Sequence, residues 1–262
     1  MTLFADLDRR FSGLDRLWDP TRADRVRRSH VVVVGVGGVG SWAVEALART
    51  GVRHLSLIDL DHVAESNINR QIQALEGTLG MAKVQALAER IAQINPSCRV
   101  DCIEEWVTPD NIESLLGALT QPVDGLIDTC DQVRSKVALA QWSKTRPVHF
   151  VGVGAAGGKH MAHRVAIDDL SQITHDPLLS QVRQRLRKAG APAAGRRMGW
   201  SYVYSNEPMT RPQGGGQLRC HPQLQRLWVA GQCDGDLWSV RSRVGDGKNS
   251  KTRFAKVMKM TL

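Results

Sequence analysis

Residues 30–61 read HVVVVGVGGVGSWAVEALARTGVRHLSLIDLD. A β-branched run, Val31 to Val34, ends in Gly35-Val36-Gly37-Gly38-Val39-Gly40. An amphipathic stretch follows, then a second apolar run over 55–58 that closes on Asp59. Short apolar run, glycine turn, helical period and second apolar run together are the sequence form of a β-α-β unit. The glycines permit a tight turn, close approach of backbone N–H groups to a phosphate, and close packing of helix on strand. The start of the following helix adds unpaired N–H groups and partial positive charge, which suit an anion. The expected fold is therefore α/β, a Rossmann-like doubly wound, mainly parallel sheet with a nucleotide-binding glycine loop.

The loop alone leaves the nucleotide open. Asp59 lies 19 residues past Gly40, where an acid would hold a ribose hydroxyl of NAD as readily as one of ATP. The next segment, Leu60 to Gln71, carries Asn67 and Arg70 three apart, on one face if the turn is helical. Lys83 then opens a helix expected over 81–94, with an apolar stripe of Val84, Leu87, Ala88, Ile91 and Ile94 that stops before Pro96. Taken alone, Lys83 reads as a solvated surface cation; beside the glycine loop it reads as a partner for phosphate. A later strand over 124–128 runs into Thr129-Cys130-Asp131. Ligands of parallel sheets sit beyond the carboxyl ends of strands, so Asp128 and Asp131 are expected at the glycine-loop crevice, serving Mg2+. Asp128 is also expected to cap a helix over 132–143. The last clear strand, 148–152, precedes Gly154-Ala-Ala-Gly157-Gly158, small residues that permit close backbone approach to a ligand or a neighbouring strand.

The order GxGGxG, DxDxxxxxNxxRQ, helix-opening lysine, then DxxD resembles the adenylation signature of the E1-like (ThiF-type) superfamily. Within it the chain is similar to the tRNA threonylcarbamoyladenosine dehydratase family. The phrases that carry this are Arg10-Phe11-Ser12-Gly13, 35–52 (GVGGVGSWAVEALARTGV), 66–75 (SNINRQIQAL), 90–100 (RIAQINPSCRV), 150–188 and 204–208 (YSNEP). The resemblance implies that Gly35, Gly37, Gly38 and Gly40 surround ATP phosphates and that Asp59 holds the ribose. It implies further that Asn67, Arg70 and Lys83 neutralise the triphosphate and that Asp131 binds magnesium or orients the α-phosphate. The implied reaction activates the carboxylate of N6-threonylcarbamoyladenosine in tRNA as an acyl-adenylate, and intramolecular attack then closes a ring with net loss of water. A homodimer is a further family expectation, with Arg10 the candidate to reach a partner's ATP, since Gly13 stands where relatives place a second arginine.

Five cysteines, Cys98, Cys102, Cys130, Cys220 and Cys233, form no C-x-x-C pair, so the chain cannot build the four-cysteine zinc site of many sulfur-carrier adenylating relatives. An adenylyltransferase for a ubiquitin-like sulfur carrier, with a sulfur-transfer partner protein, is the alternative function. A nucleotide-binding scaffold and an NAD dehydrogenase are the more remote readings. Cys98 and Cys102 alternate with Val100 in a strand over 99–103 and are expected to fill the core; Cys130 is expected to be structural, and Cys233 is the candidate for thioester or persulfide chemistry. An odd cysteine count, no signal peptide and no apolar run of transmembrane length point to a reducing cytoplasmic setting without membrane attachment.

The 262 residues, 42% hydrophobic, suffice for a full core. The expected division is an N-terminal helical segment (1–29), whose Leu14, Leu17, Trp18 and Val26 cover a domain edge or an interface, then an adenylation domain (30–213) and a basic tail (214–262). The tail lacks sustained apolar period and is expected to be poorly ordered, a divergent or frame-shifted ending. Its nine Lys/Arg against three Asp/Glu supply six of the nine net positive charges. Net charge is thus a weak argument for tRNA; Arg183, Arg185, Arg187 and Lys188 on a helix over 177–188 are the local candidates, with a solvated face as the equal alternative. The small-residue stretch 189–195 is the expected loop, either a tRNA-dependent lid or a plain connection.

Overall fold

The computed structural model describes residues 6–16 and 19–209. Seven strands form one sheet in the order β3-β2-β1-β4-β5-β7-β6: β1 (His30–Val34), β2 (His54–Ile58), β3 (Arg99–Ile103), β4 (Gly125–Asp128), β5 (His149–Val153), β6 (Val165–Asp169) and β7 (Ser201–Ser205). All neighbours are parallel except β6, which runs antiparallel to β7 at one edge. Helices cover both faces, the arrangement that parallel strands require because each crossover must pass over a face.

Side-chain alternation along β1 divides the core. Val31 and Val33 pack on one face with Val26 of α2 (Pro20–Arg28), Val44 and Leu47 of α3 (Gly38–Arg49), and Val84, Leu87 and Ile91 of α4 (Lys83–Ile94). Val32 and Val34 pack on the other with Ile112 and Leu116 of α5 (Ile112–Gly117) and with Leu139 and Trp142 of α6 (Val133–Lys144). The last helix, α7 (Pro177–Lys188), joins α6 and β7 through Leu179, Val182 and Leu186. Val26 thereby belongs to the chain's own core, while Leu17 and Trp18 lie outside the described residues.

α4 begins at Lys83 rather than two residues earlier, because Ala82 is extended (φ −57°, ψ 133°) and His62 bridges to it. It ends at Asn95, whose side-chain amide donates to Val52 O (2.8 Å), as expected ahead of Pro96. Arg10 of α1 (Leu7–Phe11) donates to Ile94 O (2.7 Å) and Gln93 O (3.3 Å), satisfying carbonyls left open at that helix end. Cys98 packs against the core, but Cys102 is exposed, because β3 is an edge strand. The pair β6 and β7 was not legible as strands: Val165–Asp169 is a short edge segment that ends on two aspartates with no apolar alternation. The candidate Cys233, Cys220 and the basic tail lie outside the described residues. Among those described, no helix is long and apolar enough to cross a membrane.

At the amino ends of β1, β2 and β3 lies a buried polar cluster. His30 and His54 stack with centroids 3.7 Å apart and 7° between planes. Cross-strand pairing of His30 with His54 and of Ser56 with Asp101 puts all four side chains together. His30 Nε2 meets Ser56 Oγ at 2.8 Å, and His54 Nε2 meets Asp101 Oδ2 at 2.6 Å. Burial, then the adjacent His54, push the His30 pKa below its ordinary 6.5. The unfolded chain therefore takes up a proton below about pH 6.5 that the folded chain refuses. His30's contribution to stability is complete above that value and declines as the pH falls toward its lower folded pKa. Denaturant unfolding at about pH 7 and about pH 5.5 should show lower stability at the acid value, and His30→Gln should flatten that difference. An equal acid loss in both proteins would refute the assignment.

Candidate active site

The carboxyl ends of β1, β2, β4 and β5 converge on the glycine loop. Gly35 is left-handed (φ +82°), and a Cβ there would lie 2.9 Å from Cys130 Cα, so the loop after β4 presses directly on it. A Cβ on Gly40 would stand 1.9 Å from Gly35 O and 2.5 Å from Thr129 Oγ1. The Thr129 hydroxyl lies between Val34 O (3.0 Å) and Gly35 O, joining the two loops. α3 starts at Gly38 after Gly37, with no side-chain cap. Its first-turn N–H groups thus face the crevice without a side chain of their own, the arrangement that receives an anion.

Asp59 follows β2 and binds the loop from the other side: Oδ2 accepts from Val36 N (2.7 Å) and Oδ1 from Asp61 N (2.9 Å). Burial raises its pKa, opposed by nearby Lys83. Lys83 is no surface lysine: it is 5% exposed, and its Nζ donates to Asp61 Oδ2 at 2.7 Å. A cation in the first turn of α4 opposes the helix dipole, and Asp61 offsets that cost. Asn67 is buried, its Oδ1 accepting from Ala64 N (3.1 Å), so it shapes the turn it sits in. Arg70 is half-buried. Its Nη1 donates to Ser66 O (2.6 Å) and Asn69 Oδ1 (3.0 Å), while Arg70 O accepts from Trp42 Nε1 (3.1 Å), tying the segment to α3.

Asp128 does not cap α6, and it does not share a metal position with Asp131. It is fully buried and paired with Lys136, also fully buried, at 3.1 Å. The N-cap position is Gln132, which makes no side-chain cap bond. Asp131 is exposed on the loop beyond. Cys130 donates from Sγ to Asp128 Oδ1 (2.9 Å), and burial drives its thiol well above the ordinary range, so it is a packing residue and not a thiolate. Gly154 owes its identity to a helix cap: a Cβ would lie 2.1 Å from Asp176 Oδ2, which accepts from Ala155 N (2.9 Å). A hollow of about 40 Å³ opens beside this loop, lined by Val39 of α3 with Val153, Ala155, Ala156, Met161 and Tyr204.

Sequence reasoning missed three supports. Gln73 donates to Val36 O (3.0 Å) and to Gln71 Oε1 (3.1 Å), holding the glycine loop from below. Thr129 was visible only as a neighbour of Asp131. Buried Lys159 donates to carbonyls of His175 (2.9 Å), Ser205 (3.4 Å) and Glu207, and the Glu207 carboxylate accepts from His160 N and Met161 N. The phrase at 204–208 therefore braces the 154–161 loop. Of the basic cluster on α7, Arg183 is committed to Leu170 O (3.2 Å) and Ile173 O (2.7 Å), whereas Arg185 and Lys188 are exposed.

Gly40→Ala would force a methyl into the Gly35 carbonyl. It should destabilise the fold by at least about 2 kcal/mol and abolish nucleotide binding, read by thermal unfolding and calorimetric titration. Wild-type affinity in this variant would disprove the close packing.

The ThiF family profile matches residues 12–192. A tRNA threonylcarbamoyladenosine dehydratase of Haemophilus influenzae is 38% identical over 218 residues, 81% of this chain and 82% of that protein. The Escherichia coli protein of the same name is 40% identical over 211 residues, 80% and 78% of the two chains. A crystal structure of the E. coli dehydratase in complex with ATP superposes with a TM-score of 0.76 at 34% identity, covering 88% of this chain and 94% of that one. The crevice at the strand ends and these matched lengths lead to one conclusion: the chain belongs to the ThiF family.

Proposed function

We propose that this chain catalyses the ATP-dependent dehydration of N6-threonylcarbamoyladenosine in tRNA, in the cytoplasm. The observation that carries the reading is the union of an uncapped α3 N-terminus with buried Lys83 near the glycine loop, in a fold that superposes on that of an ATP-bound relative. That donor set fits a polyphosphate: backbone N–H groups, a helix dipole and a cation whose stem is held by packing. ATP supplies the adenylyl group that turns the poor leaving group of a free carboxylate into AMP.

The chain's own residues divide the remaining tasks. Gly35, Gly37, Gly38 and Gly40 keep side chains away from the phosphate path. Asp59, already accepting Val36 N, offers its carboxylate to a ribose hydroxyl. Lys83 and Arg70 face the charge that builds on a departing pyrophosphate, with Asn67 shaping the turn that presents Arg70. Magnesium, which keeps most of its waters and takes few protein ligands, would be held at Asp131, since Asp128 is committed to Lys136. Exposed Arg185 and Lys188 are the local cations for tRNA phosphates.

Threonylcarbamoylated tRNA incubated with the protein, ATP and magnesium should yield, after mild nucleoside workup, a modified adenosine lighter by one water, with AMP released. Lys83→Met should lower the rate by about a hundredfold or more. ATP turnover without mass change in the nucleoside would point instead to a carrier-protein acceptor and refute the reading.

A further inference from the structure

The buried pair beneath the site does more than fill the core. Asp128 pairs in register with Gly152 of β5, and Gly152 with Tyr202 of β7, so the three form a row across the sheet. The Tyr202 ring occupies the space over Gly152, where a Cβ would lie 2.1 Å from the ring. Lys136 Nζ, brought in by α6, lies 5.9 Å from that ring's centroid and donates to Val153 O (2.6 Å), Asp128 Oδ1 (3.1 Å) and Asp128 O (3.4 Å). One ammonium thus ties together the carboxyl ends of β4 and β5. Asp128 Oδ1 in turn accepts from Cys130 N (3.2 Å), the amide immediately before Asp131. Asp128 Oδ2 and the Tyr202 hydroxyl are buried with no hydrogen-bond partner among the described residues, so the loop's restraint is concentrated on the one oxygen that Lys136 holds.

We infer that Lys136 is a positioning residue for Asp131, acting through Asp128 and the Cys130 amide, and that it sets the 129–132 loop against the 154–156 loop across the crevice. A lysine this deep, with all its contacts to groups at the strand ends, is costly unless paired, and its pairing defines a single loop geometry. The catalytic arm of the test rests on the dehydratase reading; the structural arm does not.

Lys136→Met keeps the length of the side chain and removes the charge and donors. Hydrogen exchange in the folded full chain should rise about tenfold or more at residues 129–132 while β1 and α3 keep their protection. In turnover, kcat should fall about tenfold or more with the KM for ATP within about twofold, because Asp59 and Gln73 still hold the glycine loop from its other side. If the methionine variant does not fold, Lys136→Gln, which retains an N–H donor, carries the same comparison with a smaller effect. Unchanged exchange at 129–132, or a rise spread evenly through β1, β4 and β5, would overturn the inference and leave Lys136 a stabilising residue only. An inactive wild-type chain would count against the dehydratase reading alone, since the exchange measurement decides the positioning role by itself.

Discussion

Contact between the start of α3 and the Gly35 carbonyl is the constraint on which the site depends. Only a Cα without a side chain at Gly40 lets the helix begin there, and only a left-handed Gly35 lets the chain leave β1 while the β4 loop presses on it. Thr129 and Gln73 then hold the loop through its carbonyls, and Asp59 holds it through Val36 N–H. The result is a helix terminus aimed into the crevice and held there by segments from separate parts of the chain.

Around this point the protein places charges where water is scarce, each with a stated partner. Glu45 on α3 receives Arg49 (2.7 Å) and Arg90 (2.6 Å), coupling α3 to α4. Lys83 meets Asp61, and Lys136 meets Asp128. Lys136 and Asp128, both fully buried, contribute little net stability against an apolar alternative, but removing one member strands the other in low dielectric. They therefore act on geometry, fixing which backbone groups face the crevice. The His30, His54 and Asp101 cluster sits at the opposite ends of the strands from this arrangement.

Much of the fold was legible because its signals are local. The four valines, the glycine spacing and the stripe of α4 each state their structure within a dozen residues, since strand alternation and helical period are short-range geometry. Elements at the other edge were less so. β6 and β7 pair antiparallel through residues 32 to 40 apart, and the Val165–Asp169 strand shows no alternation strong enough to announce it. Asp128 was misplaced, and Lys83 taken alone left open, for a related reason: whether a charged side chain is solvated or buried depends on partners such as Asp61 and Lys136, eight or more residues away.

Residue spacing alone was enough for the α/β class, the glycine loop, the acid after the second strand and the order Asn67, Arg70, Lys83, Asp131. It took the folded chain to withdraw Asp128, to leave Cys102 exposed on an edge strand, to set Arg10 and Arg183 on helix and loop carbonyls, and to brace the 154–161 loop with residues 204–208. The physical reason is the same in each case. Burial and hydrogen-bond partnership are set by which strands become neighbours in the sheet, and that ordering brings together residues the chain keeps far apart.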